Sequence, residues 1–195
     1  MIEEIVKMAE INIDELDAIA VSGGPGSFTG LRIGSATAKG IAFAIKKPII
    51  HIPTIDGLAY NMYGTNRIVC PIMDARRNQV YTGLYRFEND EFITIEAQSQ
   101  KDIMDVIKSV NEIGKSVVFL GDGTSIYKEI ITKNINVDCQ FAPIHMNMQR
   151  ASSVATLAVK YYNEGKVIES SEHKPDYLRK SQAERELEEK MKVNQ

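Results

Sequence analysis

The chain has 195 residues, 44% of them apolar and 25% charged, the make-up of an ordinary soluble globular protein of one large or two small domains. Lys plus Arg is 23 and Asp plus Glu is 26, a net charge of -3. This excludes a protein that grips a nucleic acid with its whole surface, because phosphate neutralisation needs clustered positive charge, and it leaves room only for a local basic strip. No run approaches the roughly 18 apolar residues of a membrane span. The opening MIEEIVKMAE reads as an acidic helix rather than a signal peptide. Two cysteines, Cys70 and Cys139, make no disulfide framework and are expected as reduced core residues, so the chain is expected in the cytoplasm.

In chain order, Met1–Glu10 carries Ile2, Ile5, Val6 and Ala9 at helical spacing. Asp17–Val21 is a short apolar strand running into Ser-Gly-Gly-Pro-Gly. Leu31–Lys46 reads as a helix stopped by Pro48, Pro48–Ile52 as a strand, and Thr54–Tyr63 as a short helix. Alternating strands and helices predict parallel pairing with crossovers. Past Asn66 the pattern changes. Ile68–Met73, Gln79–Phe87 and Glu91–Ala97 read as an antiparallel meander with one wet face. Ser99 and Asp102 fit a capping box that opens a helix ending near Gly114. Val117–Leu120 and Val137–Ala142 are the remaining strands, with a helix over Thr124–Lys133 between them. Ala151, Val154, Ala155, Ala158 and Tyr161 mark an amphipathic helix closed by Gly165. Gln182–Lys192 is a highly charged helix or a solvated tail. The division is expected at residue 66, with units 1–66 and 67–195. The apolar strand at Ala18–Val21 has one evident partner, Pro48–Ile52, and two parallel strands do not make a viable sheet.

The richest stretch is Val21–Gly34. A strand, a glycine loop and a helix leave backbone N–H groups aimed at an anion, so Gly23, Gly24, Gly26 and Ser27, with the turn at Gly121 and Gly123, are candidate anion or nucleotide contacts. The spacing GxGxxxG is one residue too long for the dinucleotide fingerprint, and neither a P-loop nor a nucleophile elbow fits. In the following helix Gly30, Gly34, Ala38 and Ala42 form a small-residue stripe, with Ile33, Thr37, Ile41 and Ile45 beside it. Close packing on the chain's own sheet and a helix of another subunit both fit that stripe. Arg32, Lys39 and Lys46 make a basic strip. Asp74-Ala-Arg-Arg-Asn-Gln-Val-Tyr81 joins two strands, fitting a turn salt bridge or a ligand contact. His51, His145 and His173 are scattered with no metal-ligand spacing, so no metal is expected.

Gly24-Pro-Gly-Ser-Phe-Thr-Gly-Leu-Arg32, Pro71-Ile-Met-Asp-Ala-Arg76 with Val80-Tyr81, and Pro175-Asp-Tyr-Leu-Arg-Lys-Ser-Gln-Ala-Glu184 together resemble the TsaB (YeaZ) family. The resemblance implies an actin-like, Hsp70-like α/β fold of two ribonuclease-H-like subdomains, and a part in threonylcarbamoylation of adenosine 37 of tRNA. It implies a non-catalytic scaffold that pairs with the catalytic paralogue TsaD, is joined by the ATPase TsaE, and forms homodimers when alone. tRNA is then reached through the complex. The pairing surface it implies maps onto Ile2, Ile5, Val6, Gly30, Ile33, Gly34, Thr37, Ala38 and Ile41. Family members begin with a strand bearing an Asp-Thr-Ser-type motif and two further strands, which do not precede Met1 here. The first subdomain is therefore expected to be incomplete, and no ATP or other cofactor is expected in this chain. The alternative is a nucleotide-binding ATPase or kinase-like enzyme of the same fold. A peptidase finds no coherent Ser/His/Asp or metal arrangement.

Overall fold

Two sheets organise residues 2–178, the part of the chain that this computed structural model describes. The charged run Gln182–Lys192 lies outside the described residues. Helix α1 (Ile2–Met8) buries none of its residues. Strand β1 (Ile19–Gly24), helix α2 (Phe28–Ala44) and strand β2 (Ile49–Pro53) form a parallel crossover unit, in register from Ile19 opposite Ile49 to Ser22 opposite Ile52. Among the described residues no strand pairs with the outer edge of β1. The outer edge of β2 is closed by one antiparallel bridge, in which Ile49 and Ile168 exchange both backbone hydrogen bonds at 2.9 Å.

The second sheet has five strands in the order β5–β4–β3–β6–β7. They are β3 (Ile68–Asp74), β4 (Gln79–Glu88), β5 (Glu91–Asp102), β6 (Val117–Leu120) and β7 (Cys139–Phe141). The β3–β4–β5 meander is antiparallel, whereas β6 and β7 extend it in parallel, joined through α4 (Ile103–Ile113) and α5 (Gly123–Asn134). Alternation along the strands decides the faces. Ile68, Cys70, Ile72, Val80, Leu84 and Phe119 pack under α4 and α5 with Val106, Ile107, Val110 and Ile131. Val69, Tyr85, Val118 and Leu120 turn the other way, onto Ile55, Leu58 and Ala59 of α3 (Thr54–Ala59). Every residue of α3 is buried, because this short helix lies between the two sheets.

Helix α6 (Ala151–Asn163) and the segment after it return to the first sheet, although the sequence groups them with the second unit. Leu157 and Ala158 cover Ile50 and Ile52 on one face of β2, while Ala38 and Ala42 of α2 cover Ile49 on the other.

Several boundaries differ from expectation. β1 runs through the first two glycines, so the loop begins only at Pro25, and α2 starts at Phe28 instead of Leu31. The helix expected over Thr54–Tyr63 ends at Ala59 and continues as a 3-10 turn, Tyr60–Met62. The expected box of Ser99 with Asp102 is corrected: Ser99 stands in β5 opposite Thr82, and Asp102 alone caps α4, its carboxylate accepting from the Met104 N–H at 2.9 Å. Strand pairing already satisfies the Ser99 backbone, so the helix starts where the ladder ends. Asp102→Ala is expected to lower unfolding free energy by about 1 kcal/mol in urea titrations, the usual cost of an N-cap.

Candidate functional site

The glycine run at the end of β1 is filled from within the chain. A Cβ on Gly23 would lie 1.8 Å from Cε1 of His51, and one on Gly24 would lie 2.4 Å from the Asp176 carbonyl oxygen. The Gly24 N–H donates to Thr54 Oγ1 at 3.2 Å, and the Gly23 carbonyl accepts from the Asp176 N–H at 2.7 Å. Ser27 caps α2 by accepting from the Gly30 N–H at 3.3 Å, and Gly26 is exposed beside Leu31. At the end of β6 the Gly121 N–H donates to Asn147 Oδ1 at 2.7 Å, and Gly123 is packed against the Ile72 carbonyl. The candidate anion contacts therefore sit at the C-terminal ends of two parallel strands, where α/β sheets bind ligands, but the N–H groups of Gly24 and Gly121 already have acceptors.

Two of the three scattered histidines meet. His51 on β2 places Nδ1 3.3 Å from His173 Nε2, and its own Nε2 lies 3.0 Å from Asp176 Oδ2. His173 Nδ1 lies 2.8 Å from Ser35 Oγ on α2. Gln98 Nε2 donates to Asp176 at 3.1 Å. Burial holds His173 below the usual histidine range, aided by the charges of His51 and Lys39 and opposed by Asp176. The two histidines stand 122 positions apart, a separation that leaves no periodicity by which sequence reading could pair them. Among the described residues no group of three or more His, Cys, Asp or Glu is placed to hold a metal.

The basic strip is broken up by the same segment. Lys39 Nζ donates to the Ser171 carbonyl at 3.0 Å and faces that of His173 at 3.4 Å. Arg32 lies 4.1 Å over the Phe28 ring and donates to the Tyr177 hydroxyl at 3.4 Å, and the Phe28 and Tyr177 rings meet in a tilted contact with centroids 5.1 Å apart.

What remains open is one side of α2. Gly30, Ile33 and Thr37 are exposed, Gly34 and Ile41 are half-buried, and a Cβ on Gly34 would meet nothing within 4 Å. Ile33 is 62% exposed, and on α1 Ile5 is 57% and Ile2 43% exposed, with Val6 half-buried. Ala38 is corrected: it is buried against the chain's own sheet with Ala42. A four-residue step overshoots a 3.6-residue turn by about 40°, so the stripe winds from the open side to the core.

The hairpin at Asp74–Gln79 is another polar cluster. Tyr127 donates to Asp74 at 3.1 Å, the Asp74 N–H to Asp122 at 3.1 Å, and Arg76, Arg77 and Asn78 all have positive φ. Burial, then the Asp74 contact, pushes the Tyr127 hydroxyl up to about 12.

Residues 1–187 match the family model described as "TsaD: tRNA N6-adenosine threonylcarbamoyltransferase". The chain is 34% identical over 173 residues to the tRNA threonylcarbamoyladenosine biosynthesis protein TsaB of Bacillus subtilis (strain 168), covering 87% of this chain and 72% of that protein. The chain belongs to the TsaB (YeaZ) family. It is also 26% identical over 191 residues to TsaB of Escherichia coli (strain K12), covering 96% of this chain and 81% of that protein. The solved structure of YeaZ from Pseudomonas aeruginosa superposes with a TM-score of 0.74 at 24% identity, over 91% of this chain and 82% of that one. The fold is thus the actin-like α/β fold expected from the family resemblance. Among the described residues of this TsaB-family chain, no helix is long and apolar enough to cross a membrane.

Proposed function

We propose that the chain serves tRNA threonylcarbamoyladenosine biosynthesis as a non-catalytic scaffold, docking TsaD through α1 and the open side of α2. TsaE joins that pair, a second copy takes the same surface when TsaD is absent, and tRNA is reached through the complex in the cytoplasm. The supporting observation is the open space above Gly34 beside the exposed Ile33. A glycine in a helix interior costs about 1 kcal/mol relative to good helix formers, and nothing among the described residues uses the room it leaves.

Gly34→Leu tests the reading. It fills open space, so the melting temperature is expected to hold or rise while the heterodimer peak with the same organism's TsaD disappears in size exclusion with light scattering. Co-elution of the variant with TsaD would refute the interface. A second reading, a nucleotide-binding enzyme, is favoured by the position of Gly24 and Gly121 at strand C-termini. Calorimetric titration with ATP and magnesium separates the two, since micromolar binding would replace the scaffold reading.

A further inference from the structure

We propose that the closing segment Ser170–Tyr177 is a strap latched by a proton-counting relay, and that adding protons to both His51 and His173 releases it. Three side-chain contacts in series hold the strap: Ser35 to His173, His173 to His51, and His51 to Asp176. With both rings neutral, Ser35 and each ring supply one hydrogen, so three hydrogens serve three contacts. The arrangement that satisfies all of them runs one way. Ser35 O–H donates to His173 Nδ1, His173 Nε2–H to His51 Nδ1, and His51 Nε2–H to the Asp176 carboxylate.

One added proton is tolerated. His51 becomes a cation beside Asp176 and donates from both nitrogens. His173 keeps one hydrogen, now on Nδ1, and Ser35 becomes the acceptor. A second proton has no place, because two N–H groups would then face each other across the 3.3 Å between the rings. It would also set two imidazolium cations beside Lys39, with Asp176 the one carboxylate in direct contact among the described residues.

The other groups facing the relay do not relieve the clash between the two N–H groups. Gln98 reaches Asp176 from β5 as a neutral donor, and Gly23 of β1 contributes only its carbonyl, to the Asp176 N–H. Asp56 on α3 interacts with His51 through charge alone. The depressed pKa of His173 fixes the sign. As pH falls below the ordinary value of 6.5, the unlatched chain takes the proton first. Strap stability is therefore full above that value and is lost as pH falls through the latched value.

Release would detach Tyr177 from Phe28 and Arg32 at the N-terminal end of the open α2 surface, and this consequence rests on the pairing reading above. Amide hydrogen exchange on the intact chain at pH 7.5 and 5.0, corrected for intrinsic rates, tests the latch. The expected result is about tenfold faster exchange across the strap at pH 5.0 with β3 unchanged. His173→Gln, which cannot titrate, should abolish the difference, and His51→Gln serves in its place if that variant does not fold. A strap equally protected at both pH values, or an unaltered response in the folded variant, overturns the proposal.

Light scattering with TsaD at the two pH values reads the consequence separately. Weaker pairing at pH 5.0 in the wild type but not in the variant supports it, and strap release with unchanged pairing overturns it. Absence of pairing already at pH 7.5 would fail the scaffold reading, with the latch still decided by exchange.

Discussion

Asp56→Ala is expected to lower the unfolding free energy by about 3 kcal/mol, from a buried and a half-buried hydroxyl left without an acceptor and the gap left behind. Tyr85 donates to Oδ1 of Asp56 at 2.7 Å and Tyr161 to Oδ2 at 3.1 Å, so one carboxylate on α3 ties together β4 and α6. Burial raises the Asp56 pKa above 3.8, and the two tyrosine hydrogen bonds pull it back in part. The folded chain therefore takes up this proton at higher pH than the unfolded chain does. Asp56 stabilises the fold most below 3.8, and that contribution is lost as pH rises through the folded value. Asp56→Asn removes the buried charge while keeping an acceptor for Tyr85. It should cost about 1 kcal/mol or less at pH 7, within the range of one ordinary hydrogen bond. Urea unfolding of both variants from pH 4 to pH 8 measures the contrast, and equal losses for the two would refute the acceptor role.

Gly121→Ala is expected to cost about 4 kcal/mol and to reduce soluble yield sharply, combining a disallowed backbone angle with overpacking. Gly121 has a φ of 104°, and a Cβ there would lie 2.2 Å from the Ile72 carbonyl oxygen. Neither side can give. Ile72 lies within β3, and Gly121 is held by Asn147, which donates from Nδ2 to Thr124 at 2.7 Å, while Thr124 Oγ1 donates to the Gly121 carbonyl at 2.7 Å. Gly40→Ala is the control: it sits within α2 with nothing inside 4 Å of its Cβ, and the same change should stabilise by about 1 kcal/mol. Thermal unfolding of the pair separates a glycine required by geometry from one that is merely tolerated.

The strands were legible in the sequence because their signal is local. Ile68–Met73 and Val117–Leu120 are apolar runs long enough to be buried on both faces, and they pair in parallel at the centre of the five-stranded sheet. The Asn89-Asp90 turn stood out between two alternating segments, and it joins β4 to β5. Contacts between distant segments were not legible. The glycines at 23 and 24 carry the composition of an anion loop, yet their room is taken by a histidine ring and a backbone carbonyl from the strap. Helical spacing placed Gly30, Gly34, Ala38 and Ala42 in one stripe, but which members face the sheet depends on how α2 lies on β1 and β2. The Tyr85–Asp56–Tyr161 knot joins residues up to 105 positions apart and leaves no periodic trace.

Uncovered by any strand among the described residues, the outer edge of β1 has a consequence for the protein as a material. The Ile19 N–H points to the Pro48 carbonyl, so the amides of Ala20 and Ser22 face away from β2. An edge of this kind is a template on which a foreign strand can extend the sheet, and such growth accelerates with protein concentration. The template is short, because the register breaks between Ser22 and Gly24, and Arg150 brings a positive charge to the groove that Ala20 and Ser22 line. Shortness and a nearby charge are two of the devices that keep natural sheet edges from polymerising.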